Sequence, residues 1–189
     1  MKKNNLSVLL VCAALAAPLS AQAQSRQTSY GTNPHYTWVD GRIVELDPDG
    51  PGGSETGLRI GGSMVFQPNL FGVASITDVD EYSELAFGAG LRSPLQSNID
   101  LVGMGGLLWA DNPVDDDIGF FLTGGVRALV APQFELGGYV GYRSIFDEGD
   151  IELTGEGLLH VTRELSLVAS LGFSDDYDLI TIGARWNLR

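Results

Sequence analysis

Cysteine and lysine are almost absent from this sequence. The chain of 189 residues contains one Cys, Cys12, and two Lys, Lys2 and Lys3, all within its first 23 residues. Beyond that point, a disulfide framework, a thiolate zinc site and cysteine-based redox chemistry are excluded. Bases are also few, because 24 Asp and Glu stand against 11 Lys and Arg and give a net charge of −13. Such an acidic chain is a poor candidate for binding nucleic acid through its phosphates.

The first 23 residues have the pattern of an export signal. A short basic segment at 1–5 precedes an apolar run at 6–19, and Ala21-Gln22-Ala23 supplies small residues for cleavage after Ala23. The run is broken by Pro18 and is shorter than the roughly 20 residues that a membrane helix needs. Val11 precedes Cys12, which does not fit a lipoprotein site. We therefore predict a cleavable signal peptide at 1–23, followed by a flexible N-terminal lead-in at 24–34.

From residue 35 onward, apolar residues recur at every second position rather than at helical spacing, which predicts strands. A sheet of about ten strands that are joined only by hairpins has two open edges, and closing the sheet into a barrel removes both of them. The domain at 35–189 is therefore predicted to be all-β, an antiparallel up-and-down β-barrel of about ten strands, with eight as the alternative. The predicted strands are 35–46, 56–66, 70–80, 82–92, 98–109, 118–129, 134–145, 150–160, 164–173 and 178–188.

The connections alternate in character along the chain. Those after the even strands are short and mostly uncharged, and we call this side of the barrel the low-charge end. Those after the odd strands, within 47–55, 78–81, 111–117, 147–150 and 174–178, contain 16 Asp and Glu and no Lys or Arg. We call this side the acidic end. It is predicted to carry solvated outer loops, with a diffuse divalent-cation site as the alternative.

The two faces of the strands indicate which solvent surrounds the barrel. One face of each strand is apolar, whereas the other carries Gly, Ser, Thr, Glu and Arg but no Lys. Lys is common on water-exposed surfaces, so its absence argues against such a surface. An apolar outer band around a polar interior is the arrangement of a transmembrane barrel. The 25 Gly also fit, because Gly on an inner wall leaves room for long side chains from the far wall. We therefore predict a transmembrane barrel.

Aromatic residues are expected to form two girdles at the membrane interfaces, as such barrels require. One predicted girdle lies near the low-charge end and the other near the acidic end. The first comprises Phe66, Phe71, Phe134 and Trp186. The second comprises Trp109, Phe120, Tyr142 and Phe173.

The predicted inner face has equal numbers of opposite charges. Alternation places six Arg and six acids there: Asp40, Arg42, Arg59, Glu84, Arg92, Asp100, Arg127, Glu135, Arg143, Glu152, Glu156 and Arg185. The expected ion pairs are Arg92 with Asp100, Arg127 with Glu135, Arg143 with Glu152, and Asp40 with Arg185 where the first and last strands meet. Arg suits this role because its planar fork bonds a carboxylate at two points.

These charges allow two functional interpretations. A network of salt bridges would hold the barrel shut and leave it a structural or surface-interaction role, which we favour because small barrels are filled by side chains. The alternative is a charged constriction in a small porin or channel for small solutes. An enzyme is disfavoured because His35 and His160 both lie near the low-charge end, with no Ser at evident spacing. Asp47-Pro48-Asp49-Gly50 lacks the later ligands of a calcium loop, and no catalytic, cofactor or metal residue is proposed.

Together, these features resemble the small OmpA/OmpX-type outer-membrane β-barrels of Gram-negative bacteria. The resemblance rests on the export signal, the alternating strands with long outward loops, and a last strand at 179–189. The opening at 36–41 with Asp47-Pro48-Asp49-Gly50 also resembles small outer-membrane proteins once regarded as quorum-sensing factors. One departure is that the outward series ends at Leu188 rather than at a terminal aromatic. The resemblance implies a monomer in the cell outer membrane, placed there by the barrel-insertion machinery. We expect its partners to be lipid and lipopolysaccharide, met through divalent cations.

Overall fold

Ten β-strands account for nearly all of the described chain. The computed structural model describes residues 34–48, 53–113, 116–146, 148–175 and 177–188. The predicted signal peptide and most of the lead-in lie outside these residues. The strands are β1 (Trp38–Pro48), β2 (Glu55–Gln67), β3 (Leu70–Val79), β4 (Tyr82–Gln96), β5 (Ile99–Asp111), β6 (Asp116–Ala131), β7 (Phe134–Ile145), β8 (Glu148–His160), β9 (Leu165–Phe173) and β10 (Tyr177–Asn187).

The strands form a closed antiparallel barrel. Each strand pairs with its sequence neighbours, and β1 pairs with β10 to close the ring, with Asp40 opposite Arg185 at the seam. The prediction of an up-and-down barrel with ten strands is confirmed, and the alternative of eight strands is wrong. Within the described residues, no helix is long and apolar enough to cross a membrane.

Strand ends at the low-charge end differ from the predicted ones. β4 continues to Gln96 and β6 to Ala131, beyond the predicted ends at 92 and 129. The ladder shifts register within both extensions, between Pro94 and Gln96 and between Leu129 and Ala131. At each shift one residue, Leu95 or Val130, has no partner in the ladder, as in a β-bulge, and Pro94 next to the first has no N–H to donate.

The connections at the acidic end are short rather than long, which corrects the expectation of long outward loops. Only two residues separate β3 from β4 and β7 from β8. Asp80 and Phe146 in these turns have φ of 50° and 53°, a left-handed conformation that is unusual for Phe. Asp117 stabilises the second turn, because its Oδ2 accepts a hydrogen bond from the Phe146 N–H at 2.6 Å. Parts of the acidic end, including Asp49, Asp115, Asp147 and Asp176, lie outside the described residues.

The outer wall of the barrel is apolar. Large apolar side chains on every strand point outward and are exposed, among them Ile60 on β2, Ile118 on β6 and Ile182 on β10. A water-soluble protein rarely exposes so continuous an apolar surface. The wall therefore matches the predicted outer band of a transmembrane barrel.

The interior is less uniformly polar than predicted. Tyr36, Phe71 and Val102 form a buried apolar cluster at the low-charge end, with Val73 and Met104 packed against it. Phe71 is only 3% exposed, so its predicted place in the outer girdle is wrong. The other seven predicted girdle residues are exposed on the outer wall.

Candidate functional site

The structure places all twelve predicted charged residues on the inner side of the barrel. Nine of them line a cavity of about 280 Å³. Arg92, Asp100 and Glu135 lie beside it, at the low-charge end, where the last two are almost fully buried. The paired charges are arranged in three layers along the barrel. We call them the low-charge layer (Arg92, Asp100, Arg127 and Glu135), the seam layer (Asp40, Arg42, Glu156 and Arg185) and the outer layer (Glu84 and Arg143).

Tyr36 occupies the centre of the low-charge layer. It precedes β1, yet its side chain enters the barrel and is only 3% exposed. Its ring lies between the guanidinium groups of Arg92 and Arg127, whose Cζ atoms are 4.8 and 4.5 Å from the ring centroid. The ring of Phe71 packs against it with centroids 5.0 Å apart. A cation on an aromatic face is attracted by the ring quadrupole, so the Tyr36 ring is held by three side chains at this end of the lumen.

Two of the predicted ion pairs surround Tyr36. The Arg127 Nε donates to Glu135 Oε1 at 2.7 Å, and its Nη2 donates to the same oxygen. Glu135 Oε2 also lies 3.7 Å from His160 Nε2. Arg92 Nη1 lies 3.7 Å from Asp100 Oδ2. The low-charge layer therefore combines ion pairs with aromatic packing.

The seam layer connects the first and last strands of the barrel. Asp40 Oδ2 on β1 accepts hydrogen bonds from Arg42 Nη2 at 2.7 Å and from Arg185 Nη2 on β10 at 3.0 Å. Glu156 on β8 contacts the same two arginines at 2.9 and 3.2 Å. Trp38 lies beneath Arg185, with its ring 3.9 Å from Cζ. The expected Asp40 and Arg185 pair is thus part of a network of two acids and two arginines.

The outer layer differs from the expectation. Arg143 extends from β7 across the lumen to Glu84 and to the hydroxyl of Tyr82 on β4, and it also contacts the Tyr177 hydroxyl on β10 at 3.3 Å. It does not pair with Glu152 as predicted. In the strand register Asp150 is directly opposite Arg143, and Glu152 is opposite Gly141, two positions away. Arg127 and Glu135 pair across the same offset, so the register does not account for the difference; Arg143 is instead taken up by Glu84 on the far wall.

Glu152 is hydrogen-bonded by neutral groups. Its two carboxylate oxygens accept from the Thr154 hydroxyl at 2.5 Å and the Tyr177 hydroxyl at 3.2 Å. Arg59, on β2, donates to the Ser75 hydroxyl at 3.3 Å. Both residues line the cavity. The structure therefore places these two charges in the lumen without bringing either into a predicted pair.

The charged pairs differ in burial, and the side chain of Arg92, which lies outside the cavity lining, is 22% exposed. The side chains of Arg127 and Glu135 are 7% and 1% exposed, whereas those of Arg143 and Glu84 are 24% and 12% exposed. The cavity is therefore more accessible from the acidic end. Within the described ranges, no group of three or more His, Cys, Asp or Glu is arranged to hold a metal ion.

Comparisons with known proteins support the fold. No family model and none of the curated proteins matches the chain. The NanC porin structure is 9% identical, covers 78% of this chain and 100% of its own, and has a TM-score of 0.56. The KdgM porin in complex with disordered oligogalacturonate is 12% identical over 80% of this chain and 99% of its own, with a TM-score of 0.52.

An autotransporter domain gives a similar result. The beta domain of the Bordetella autotransporter BrkA is 12% identical over 81% of this chain and 99% of its own, with a TM-score of 0.52. At such low identities, these likenesses show the fold alone. The chain has the fold of an outer-membrane β-barrel.

Proposed function

We propose that this chain is an integral outer-membrane β-barrel with a structural or surface-interaction role, and that its lumen does not conduct. The observation that supports this most strongly is the low-charge layer, where the buried ring of Tyr36 packs against two arginines and Phe71. A barrel of this size has little interior space once side chains fill it. An ion crossing the lumen would have to displace both the ring and the ion pairs around it.

Single-channel recording in planar bilayers tests this proposal. The native protein is expected to give no steady conductance. Tyr36→Ala is expected to open a path and give measurable current, whereas Tyr30→Ala, in the predicted lead-in, serves as the control. A stable open channel in the native protein would reject closure and favour a porin.

A small porin or channel for small solutes is the second candidate. The cavity of about 280 Å³ and the lesser burial of the outer layer favour it. Two barrels of similar fold are porins, one of them in complex with oligogalacturonate. Under this alternative, the charged residues of the lumen would select the solute rather than seal the barrel.

The proposed setting is the outer membrane of a Gram-negative bacterium, reached after removal of a signal peptide at 1–23. The apolar outer wall supports membrane insertion. The barrel-insertion machinery would assemble the protein as a monomer, and the acidic end would meet lipopolysaccharide through divalent cations. Membership of the OmpA/OmpX type and the likeness to proteins once regarded as quorum-sensing factors stay predictions, as does the absence of enzymatic activity.

A further inference from the structure

Two of the nine charged residues that line the cavity have no ion-pair partner among the described residues, and these two are opposite in sign. Arg42 and Arg185 share two carboxylates in the seam layer, and each of the other paired arginines has one acid. Among the described residues, Arg59 has no carboxylate within 4.0 Å, and Glu152 has no Arg, Lys or His within that distance. Each has only hydroxyl partners. Among the charges that line the cavity, one cation and one anion are therefore without an ion-pair partner. Asp150, opposite Arg143 and outside the cavity lining, also has a buried Oδ2 with no hydrogen-bond partner in the described part of the chain.

The two unmatched groups lie on nearly opposite walls of the same cavity. Arg59 is on β2 and Glu152 is on β8, with three strands between them on one side of the ring and five on the other. Arg42, Glu84, Asp40 and Glu152 are the charged groups that act on Arg59 over longer distances. The cavity therefore has an unpaired guanidinium group on one wall and an unpaired carboxylate on the other, in the low-dielectric surroundings of a membrane, where an uncompensated charge is costly.

We propose that this cavity binds a small zwitterion, with its carboxylate at Arg59 and its ammonium group at Glu152. The planar guanidinium of Arg59 can bond a carboxylate at two points. Glu152 can accept from an ammonium group while keeping its bonds to Tyr177 and Thr154. A ligand with both charges matches both walls, whereas a simple anion or cation would leave one wall unmatched.

The size and approach of the cavity restrict the ligand. The cavity of about 280 Å³ lies just below the roughly 300–1,000 Å³ of pockets for drug-sized ligands, which suits a smaller molecule such as an amino acid. The outer layer is the less buried side, so the ligand would enter past the acidic end. The clustered acids there repel anions, but they do not exclude a molecule of zero net charge whose ammonium group enters first.

A series of ω-amino acids of increasing chain length tests the proposal on the native protein. These compounds have the same two charged groups and zero net charge at pH 7, so only the separation between the charges changes. Isothermal titration calorimetry of the mature protein in detergent is expected to show tightest binding at one chain length, where the separation matches the distance between the two groups. Butyrate and butylamine are expected to bind at least about tenfold more weakly.

Charge-removing variants identify the two walls. Arg59→Gln and Glu152→Gln are each expected to weaken the best zwitterion at least about tenfold and to abolish the dependence on chain length. Arg163→Gln and Glu148→Gln, both on exposed residues, are the matched controls and are expected to bind as the native protein does. Undetectable binding, equal affinity across the series, or butyrate binding as tightly as the best zwitterion would overturn the proposal. The series on native protein decides the question even if a variant fails to fold.

Discussion

Removing the Arg127 side chain should strongly destabilise the barrel. Arg127→Ala leaves Glu135, which is 1% exposed, without the guanidinium that donates to it from Nε at 2.7 Å. Breaking a buried ion pair in this way costs about 3–5 kcal/mol. His160, 3.7 Å from Glu135, offers some compensation, which favours the lower end of that range. Loss of the contact with the Tyr36 ring adds about 1 kcal/mol. We therefore expect a loss of about 4 kcal/mol.

A double variant separates the ion pair from the bulk of the side chains. Replacing a buried pair by apolar residues of similar size is often neutral, so Arg127→Met with Glu135→Leu should recover all but about 1 kcal/mol, the contribution of the ring contact. Arg163→Ala, in an exposed turn, is the control and should change stability by less than about 0.5 kcal/mol. Reversible urea unfolding in lipid vesicles measures all four proteins. A double variant as unstable as Arg127→Ala would refute the reasoning.

Three further predictions concern the barrel wall, one close backbone contact and the acidic end. The folded protein should migrate differently on a detergent gel before and after boiling, because a closed hydrogen-bonded barrel resists detergent until heated; equal mobility and extraction by carbonate would contradict membrane insertion. Gly88→Val should destabilise the barrel, because a Cβ there would lie 2.3 Å from the Gly105 carbonyl oxygen, whereas Gly138→Val, where a Cβ meets nothing within 4 Å, should be tolerated. Chelation of divalent cations in lipopolysaccharide membranes should lower the thermal stability of the native protein more than that of a variant with Asp115, Asp116 and Asp117 changed to Asn; an equal effect would mean that these acids bind no divalent cation.

The strand count and the closure were predictable because alternation in sequence maps directly onto the two faces of a strand. β5 shows where this signal weakens. Its inward Val102 and Leu108 are as apolar as its outward Leu101 and Leu107, so the sequence pattern blurs although the strand is regular. Phe71 was assigned to the wrong face for a similar reason, since Leu70 beside it is also apolar and neither residue marks a face.

Contacts between neighbouring strands of the lumen were easier to predict from the sequence than contacts across it. The Arg127 and Glu135 pair was predictable because one hairpin brings the two residues together. The contact of Arg143 with Glu84 was not, since it crosses the ring between β7 and β4 and depends on side-chain length and the space available. Tyr36 lies in the predicted strand 35–46 on the same side as Asp40, but its contacts with Arg92 and Arg127 come from β4 and β6, and no strand pattern indicates contacts across the lumen.

The seam layer has a consequence for how the barrel is assembled. Asp40 and Arg185 are separated by 145 positions, and they become neighbours only when the first strand meets the last. Until then, the only arginine of the seam layer beside Asp40 is Arg42, on the same strand. Before β10 is in place, the three other seam residues, Asp40, Arg42 and Glu156, have a net charge of −1, and an unbalanced charge opposes burial in the membrane. Completing the ring removes the open edge and neutralises that charge in a single event, so a truncated copy lacking β10 should stall before closure rather than form a smaller barrel.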